Sequence, residues 1–143
     1  MMFNDILITP LDILETPGGS VFHAMKNIDL GFVGFGEAYF SEIEQNSIKA
    51  WKRHREMTLN LIVPIGTIKF VLFDNRETEK GQFQEVLLSR ETYCRLTVPP
   101  MIWMGFQGLT RGNSIVLNIA DFPHSPGEID RKNIDEIEYD WSV

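Results

Sequence analysis

Cysteine is almost missing from this 143-residue chain: Cys94 stands alone, so no intrachain disulfide can form and a reducing compartment is the simplest setting. Its place in a strand-like stretch favours a buried thiol. Histidine is scarce as well, with only His23, His54 and His124, and three scattered imidazoles give little support for a zinc centre, which needs several converging ligands. Basic residues are outnumbered, 13 Lys and Arg against 20 Asp and Glu for a net charge of −7, which argues against a nucleic-acid binder working through a general basic surface. No apolar run approaches the roughly 20 residues that span a bilayer; Phe70-Val71-Leu72-Phe73 is typical of what the chain offers. The opening Met1-Met2-Phe3-Asn4-Asp5 lacks a basic n-region, and Asp5, Pro10 and Asp12 interrupt any signal-like core, so a cytoplasmic protein with no membrane partner is expected. Phosphate loops of the P-loop type and Gly-x-Ser-x-Gly elbows are missing, and Gly31–Gly36 lacks the strand–helix setting of a dinucleotide fingerprint.

What remains is an ordinary globular composition, 43% apolar and 11% aromatic, long enough for one domain with a core of its own. The pattern is strand and turn almost throughout. Short runs rich in Val, Ile, Leu, Phe and Tyr predict strands over Asp5–Thr9, Ser20–Met25, Gly34–Ile43, Ile48–Arg53, Met57–Val63, Thr67–Phe73, Gln82–Leu88, Arg95–Val98, Ile102–Phe106 and Ser114–Ala120. Turn signals such as Thr16-Pro17-Gly18-Gly19, Pro64-Ile65-Gly66 and Arg111-Gly112-Asn113 punctuate them. Such spacing points to an all-β sandwich or barrel. A short helical turn is expected only in Ser125–Lys132, with Ser125 as cap and Pro126 at the first helical position.

Charge is uneven. Residues 1–46 carry seven acidic side chains and one basic, Lys26, and residues 121–143 carry seven acidic against Arg131 and Lys132. Between them Lys49-Ala50-Trp51-Lys52-Arg53-His54-Arg55 concentrates four cations. On a regular strand Lys52 and His54 share one face and Lys49, Trp51, Arg53 and Arg55 the other; a bulge would bring Lys49 round to Lys52. The next strand has an apolar side, Leu59, Leu61 and Val63, and a partly polar side, Thr58, Asn60 and Ile62. If Lys52, His54, Thr58 and Asn60 line one pocket, it holds a base, a cation and two hydrogen-bonding groups, and a positive spot in a concavity of an acidic protein focuses a small anionic ligand. Histidine is the usual proton-transfer group near neutral pH, and lysine stabilises a developing enolate or binds phosphate. His124, in the rigid Phe122-Pro123-His124-Ser125-Pro126 turn, is a candidate for the mouth of a barrel, whereas His23 has no informative neighbours and reads as structural. Trp51 and Trp103 are candidates to stack on a base or sugar.

The order of four stretches resembles the cupin superfamily, specifically the dTDP-4-dehydrorhamnose 3,5-epimerases and their sugar-nucleotide ketoisomerase cousins. These are Lys49–His54, where that family has Arg-Gly-Leu-His or Gly-Phe-His-Ala-His; the Leu61–Asp74 hairpin leading to Asp74-Asn75-Arg76; Leu88-Ser89 through Val98-Pro99-Pro100-Met101-Ile102-Trp103-Met104-Gly105-Phe106, similar to a Pro-x-Gly-Phe-x-His-Gly-Phe turn; and Phe122–Glu128, with Ile137–Trp141 as a closing strand. The resemblance runs from about Gly34 to Trp141. It implies a single cupin-type jelly-roll barrel (a double-stranded β-helix) over 34–141 with a short C-terminal extension, and N-terminal strands in 1–33 that form a homodimer. It also implies an isomerase or epimerase acting on a nucleotide-linked 4-keto-6-deoxy sugar for surface polysaccharides, including lipopolysaccharide, by proton abstraction beside a carbonyl and with no cofactor.

Carried onto this chain, His54 and Lys52 are the catalytic candidates with His124 as the acid, and Lys49, Arg53, Asn60, Trp103, Asn118 and Tyr139 are the substrate-binding candidates. The chain departs from the family at several points. The family's base histidine falls on Lys52, a second histidine on Met104, the acid tyrosine on His124, and the partner Asp has no clear counterpart. Metal-dependent cupins would want ligands near 52, 54, 59 and 104, where this chain has Lys52, His54, Leu59 and Met104, so no metal is expected. Two further readings stand beside the enzyme: a noncatalytic cupin that binds a sugar nucleotide or carbohydrate, and a structural barrel whose polar strand face is a satisfied core.

Overall fold

A computed structural model describes residues 5–142, and in it the chain folds as twelve strands with two single 3₁₀ turns. The strands are β1 (Leu7–Pro10), β2 (Ile13–Thr16), β3 (Gly19–Phe22), β4 (Glu37–Glu44), β5 (Ile48–His54), β6 (Leu59–Ile65), β7 (Thr67–Asp74), β8 (Gln82–Ser89), β9 (Cys94–Val98), β10 (Trp103–Gly108), β11 (Asn113–Ala120) and β12 (Ile129–Arg131). One five-stranded sheet runs β1-β9-β6-β11-β4 and faces a second, β12-β5-β10-β7-β8; β2 and β3 form a separate hairpin. Pairing between the strands is antiparallel throughout. This is the jelly-roll arrangement expected of an all-β cupin-type barrel.

Period-two alternation builds the core. Ile43 of β4, Leu59, Leu61 and Val63 of β6, Leu96 and Val98 of β9, and Val116 and Ala120 of β11 face Ile68, Phe70 and Leu72 of β7 and Val86 and Leu88 of β8 across the gap between sheets. Burial of side chains of this size contributes about 1.5–3 kcal/mol each, which fixes the register because a one-residue slip would turn the whole set to solvent.

Four sequence expectations are corrected. β2 escaped notice because four residues between Asp12 and Pro17 give too short a run; it pairs with β3 through a Pro17-Gly18 turn in which Gly18 has φ +86°, a conformation open to glycine. Ser125–Lys132 is not one helical turn: only Pro126–Glu128 is 3₁₀, Ser125 makes no side-chain cap, and the chain straightens into β12 against β5. Ile137–Trp141 is not a strand but an irregular tail, whose Ile137 and Trp141 cover Trp51, Val71, Phe73 and Trp103 on the outer face of the second sheet. Cys94 is half-buried on β9, not sealed in the core.

The feature that positions the site lies between β5 and β10. Met104 pairs with Lys52 and Phe106 with Lys49, so Ala50 and Trp51 together face the single residue Gly105. This bulge breaks the alternation of β5. Glycine is required opposite it, because a Cβ at 105 would lie 2.7 Å from the Ala50 Cβ and 3.0 Å from the Trp141 ring. Gly105→Ala is expected to cost about 1–3 kcal/mol by overpacking, read as a lowered urea midpoint with unchanged m.

Candidate active site

Where the two sheets part, a cavity of about 500 Å³ opens. Its deep wall is apolar, made by Leu59, Leu61, Phe70, Met104, Phe106 and Val116. Its polar wall is β5: because of the bulge, Lys49, Lys52 and His54 all line the cavity, joined by Tyr39 and Ser41 from β4, Asn118 from β11 and Arg131 from β12.

His54 is buried, and its Nδ1 is hydrogen-bonded to the carboxylate of Glu128, also buried. That carboxylate further accepts the backbone N–H groups of Glu56 (3.1 Å) and Met57 (3.2 Å). Burial alone would raise the Glu128 pKa; the bonds from His54, Glu56 and Met57 outweigh it and hold the group below its ordinary value, ionised at neutral pH. An ionised carboxylate only accepts, so Nδ1 carries a proton, and in the neutral imidazole it is Nε2 that holds the lone pair of a general base.

Lys52 has no carboxylate partner among the described residues. Burial, with Arg131 and Lys49 close by, pushes its pKa below the usual lysine value. A protonated Lys52 beside the base is suited to hold a developing oxyanion, and this stabilisation is lost as pH rises through the lowered pKa. The kcat profile is therefore expected to fall at an alkaline limb below 10.5, the ordinary lysine value, and Lys52→Arg should move that limb upward.

Tyr39 was missed in the sequence. Its hydroxyl accepts a hydrogen bond from Asn118 Nδ2 at 3.1 Å, while Asn118 Oδ1 accepts the Asn60 N–H at 3.2 Å. One lone pair of Tyr39 is thus engaged and its O–H proton is free for a ligand. The available signal was the alternation of Tyr39, Ser41 and Ile43, the last of them a core residue. Glu128 was quoted in the sequence as part of a motif without a role; the 3₁₀ turn at Pro126–Glu128 is what carries it back to His54.

Of the candidate catalytic and binding residues singled out in the sequence, the structure brings His54, Lys52, Lys49, Asn118 and Trp51 to the cavity. The others lie elsewhere. His124 is exposed in its loop and is not part of the cavity wall. Arg53 points outward from β5, its guanidinium 4.7 Å from the Trp103 ring centroid and paired with Asp130, and Trp103 itself is buried on that outer face. Tyr139 belongs to the tail, packing on Trp51 and Trp141 and donating its hydroxyl hydrogen to Glu85.

Asn60 corrects the expected pocket most plainly. It is the apolar side of β6 that faces the cavity, whereas the Asn60 side chain accepts from Thr97 Oγ1 (2.6 Å) and donates to the Gly31 carbonyl (3.1 Å). Thr58 is not part of the cavity wall, and its backbone N–H donates to Asp121 Oδ1 at 2.7 Å. The N-terminal segment covers that polar face, so its groups are satisfied within the fold. At the four metal-ligand positions of metal-dependent cupins, Lys52, His54, Leu59 and Met104 all line the cavity, and among the described residues no group of three or more His, Cys, Asp and Glu gathers anywhere.

A jelly-roll barrel with a carboxylate-held histidine and two lysines in its lumen is consistent with a cupin of the sugar-nucleotide type. The chain is 36% identical to a dTDP sugar isomerase of Desulfovibrio desulfuricans over 96% of its own length and 91% of that chain, with a TM-score of 0.91, and it belongs to that dTDP-sugar isomerase family. The fold is shared more widely. A TDP-quinovose 3,4-ketoisomerase of Campylobacter jejuni matches at TM-score 0.75 and 18% identity (94% of this chain, 97% of that one), and a dTDP-4-dehydrorhamnose 3,5-epimerase of Elizabethkingia anophelis at 0.80 and 15% (100% and 84%). No protein-family model and no curated protein sequence matches the chain.

Proposed function

We propose that this protein is an isomerase or epimerase of a dTDP-linked 4-keto-6-deoxy sugar, working by proton abstraction and return without a metal. The observation that carries this reading is the His54–Glu128 pair at a cavity that also holds Lys52 and Lys49, neither with a carboxylate partner among the described residues. Nε2 of His54 takes the proton from the carbon beside the ketone. The electron pair of that C–H bond moves to the carbonyl oxygen, and the enolate is held by Lys52 with Lys49. Tyr39 is the group placed to return a proton, either to carbon, which inverts or restores a centre, or through the enediol, which relocates the carbonyl. The apolar wall excludes water from the intermediate, and Arg131 supplies further positive charge for an anionic nucleotide.

The test is incubation with dTDP-4-keto-6-deoxyglucose in deuterated water, followed by NMR. Deuterium is expected at C3 or C5 where the proton returns to the carbon it left, and at C4 of the product where the carbonyl is relocated to C3. Tight binding without any exchange, across several nucleotide sugars, would support a noncatalytic sugar-nucleotide binder in its place.

The same reading covers setting and assembly. A role in surface polysaccharide synthesis in the cytoplasm is supported by the substrate class and by the lone, unpaired Cys94. Among the described residues no helix is long and apolar enough to cross a membrane. A homodimer built on the N-terminal region is supported by the exposed Ile28, Leu30, Val33, Phe35 and Phe40, a concentration of apolar surface beside the free edge of β4.

A further inference from the structure

The segment that brings Glu128 to His54 is short. β12 has three residues and lies at the edge of its sheet, paired only to β5: Ile129 with His54, Asp130 with Arg53, Arg131 with Lys52. Three backbone bonds flank it: the Arg55 N–H to the Glu128 carbonyl at 2.7 Å, and the reciprocal Trp51–Lys132 pair at 3.0 and 3.1 Å. Backbone pairing of this kind is available in neighbouring registers too, so it does not select one. Each register has a different consequence for the cavity, because successive residues of a strand point to opposite faces.

Side chains on the outer face do the selecting. Asp130 Oδ2 accepts from Arg53 Nε and Nη2 at 3.0 and 2.7 Å, and Oδ1 accepts from Arg55 Nε and Nη2 at the same two distances. Each carboxylate oxygen thus receives a two-pronged charge-assisted contact from a different guanidinium, one from Arg53 of β5 and one from Arg55 just past its end. Arg53 is steadied further by the Trp103 ring, over which Lys132 Nζ also sits at 5.1 Å. A slip that brought Arg131 opposite Arg53 would set three cations together on the outer face and turn Asp130 toward the cavity opposite His54. A slip the other way would set Ile129 against Arg53 and leave both arginines unmatched. Either slip would also move Glu128 by a residue relative to His54.

We propose that Asp130 is a positioning residue: its double fork to Arg53 and Arg55 sets the register of β12 on β5, and through it holds Glu128 on His54 Nδ1 and Arg131 in the cavity. Asp130 touches no ligand; its action is on the orientation of the base and on which charge the strap presents inside. The consequence for turnover rests on His54 being the base, but the consequence for the imidazole does not.

The experiment therefore reads both. In Asp130→Asn, ¹⁵N spectra of the histidines are expected to show His54 Nδ1 losing its fixed protonation, and for the nucleotide sugar kcat is expected to fall at least tenfold while KM rises as Arg131 loses its place. Asp130→Glu, which keeps both forks, should restore the tautomer and most of kcat. Should Asp130→Asn fail to fold, Arg55→Gln removes one fork at an exposed side chain and should give a smaller change of the same kind in both readouts. A lowered Tm with an unchanged His54 tautomer and unchanged kcat would overturn the proposal and leave Asp130 a structural ion pair. A shifted tautomer in a protein whose wild type exchanges no deuterium would uphold the clamp while removing the enzymatic reading.

Discussion

Replacing His54 by asparagine should lower deuterium exchange into the nucleotide sugar by about 10²- to 10⁴-fold, the usual contribution of a positioned general base. Asparagine is the informative choice because its amide nitrogen stands near the place of Nδ1 and still donates to Glu128, so the buried carboxylate keeps a partner and the fold is spared. The lone pair of Nε2 is what vanishes. If exchange persists within tenfold of wild type in a folded His54→Asn protein, as judged by circular dichroism and Tm, the base is another group. Binding of dTDP, measured by calorimetry, should change little, since the imidazole acts on the sugar and the cations meet the anionic part.

Glu128→Ala should have the largest effect on stability and a second effect on rate. It strands two buried donors, the imidazole Nδ1–H and the Met57 N–H, and the part-buried N–H of Glu56. An unsatisfied buried donor costs about 1–3 kcal/mol, and partial relaxation brings the total to about 3 kcal/mol, or a Tm lowered by about 10 °C in a domain of this size. The free imidazole can then rotate and exchange tautomers, so kcat should fall as well. The acid side of the stability profile checks the same group. The folded-state pKa of Glu128 lies below its ordinary 4.5, so its contribution is fully present above that pH and drains away as pH falls through the lower folded value. Glu128→Gln should flatten that part of the profile. A variant with the same acid dependence as wild type would show that the carboxylate is not what stabilises the turn.

Asp130 contributes an acid dependence of its own. The forks from Arg55 and Arg53 hold its pKa at about 2, so the clamp on β12 is ionised at neutral pH and its contribution is lost only as pH falls through that value.

How much of this was written in the sequence differs from element to element. The strands of the barrel were legible because each runs long enough for its apolar residues to declare a face and turn residues such as Pro64-Ile65-Gly66 and Arg111-Gly112-Asn113 separate several of them. The cluster around Lys52 and His54 was legible because four cations in an acidic chain demand a reason. Alternation, however, is a relation between neighbours and does not say which side is in. The sequence made Thr58 and Asn60 look like pocket residues, and only the packing of the N-terminal segment over that side of β6 gave the cavity to Leu59 and Leu61.

Three further points needed the tertiary structure. The bulge opposite Gly105 turns Lys49 toward Lys52, and nothing in Lys49-Ala50-Trp51-Lys52 announces where the register shifts, because that depends on which strand lies alongside. Glu128 reaches His54 across 74 positions of chain, a pairing fixed by β12 docking on β5 and not by any local preference. Tyr39 and not His124 stands at the cavity because β4 closes the sheet there while the Pro123–Pro126 turn stays in solvent. The sequence by itself determined the strand order, the cationic strand and the shortage of metal ligands, since these follow from residue type and short-range periodicity. The partners of each charge and the contents of the lumen were decided only by contacts between distant segments, where geometry and desolvation, not composition, choose the neighbour.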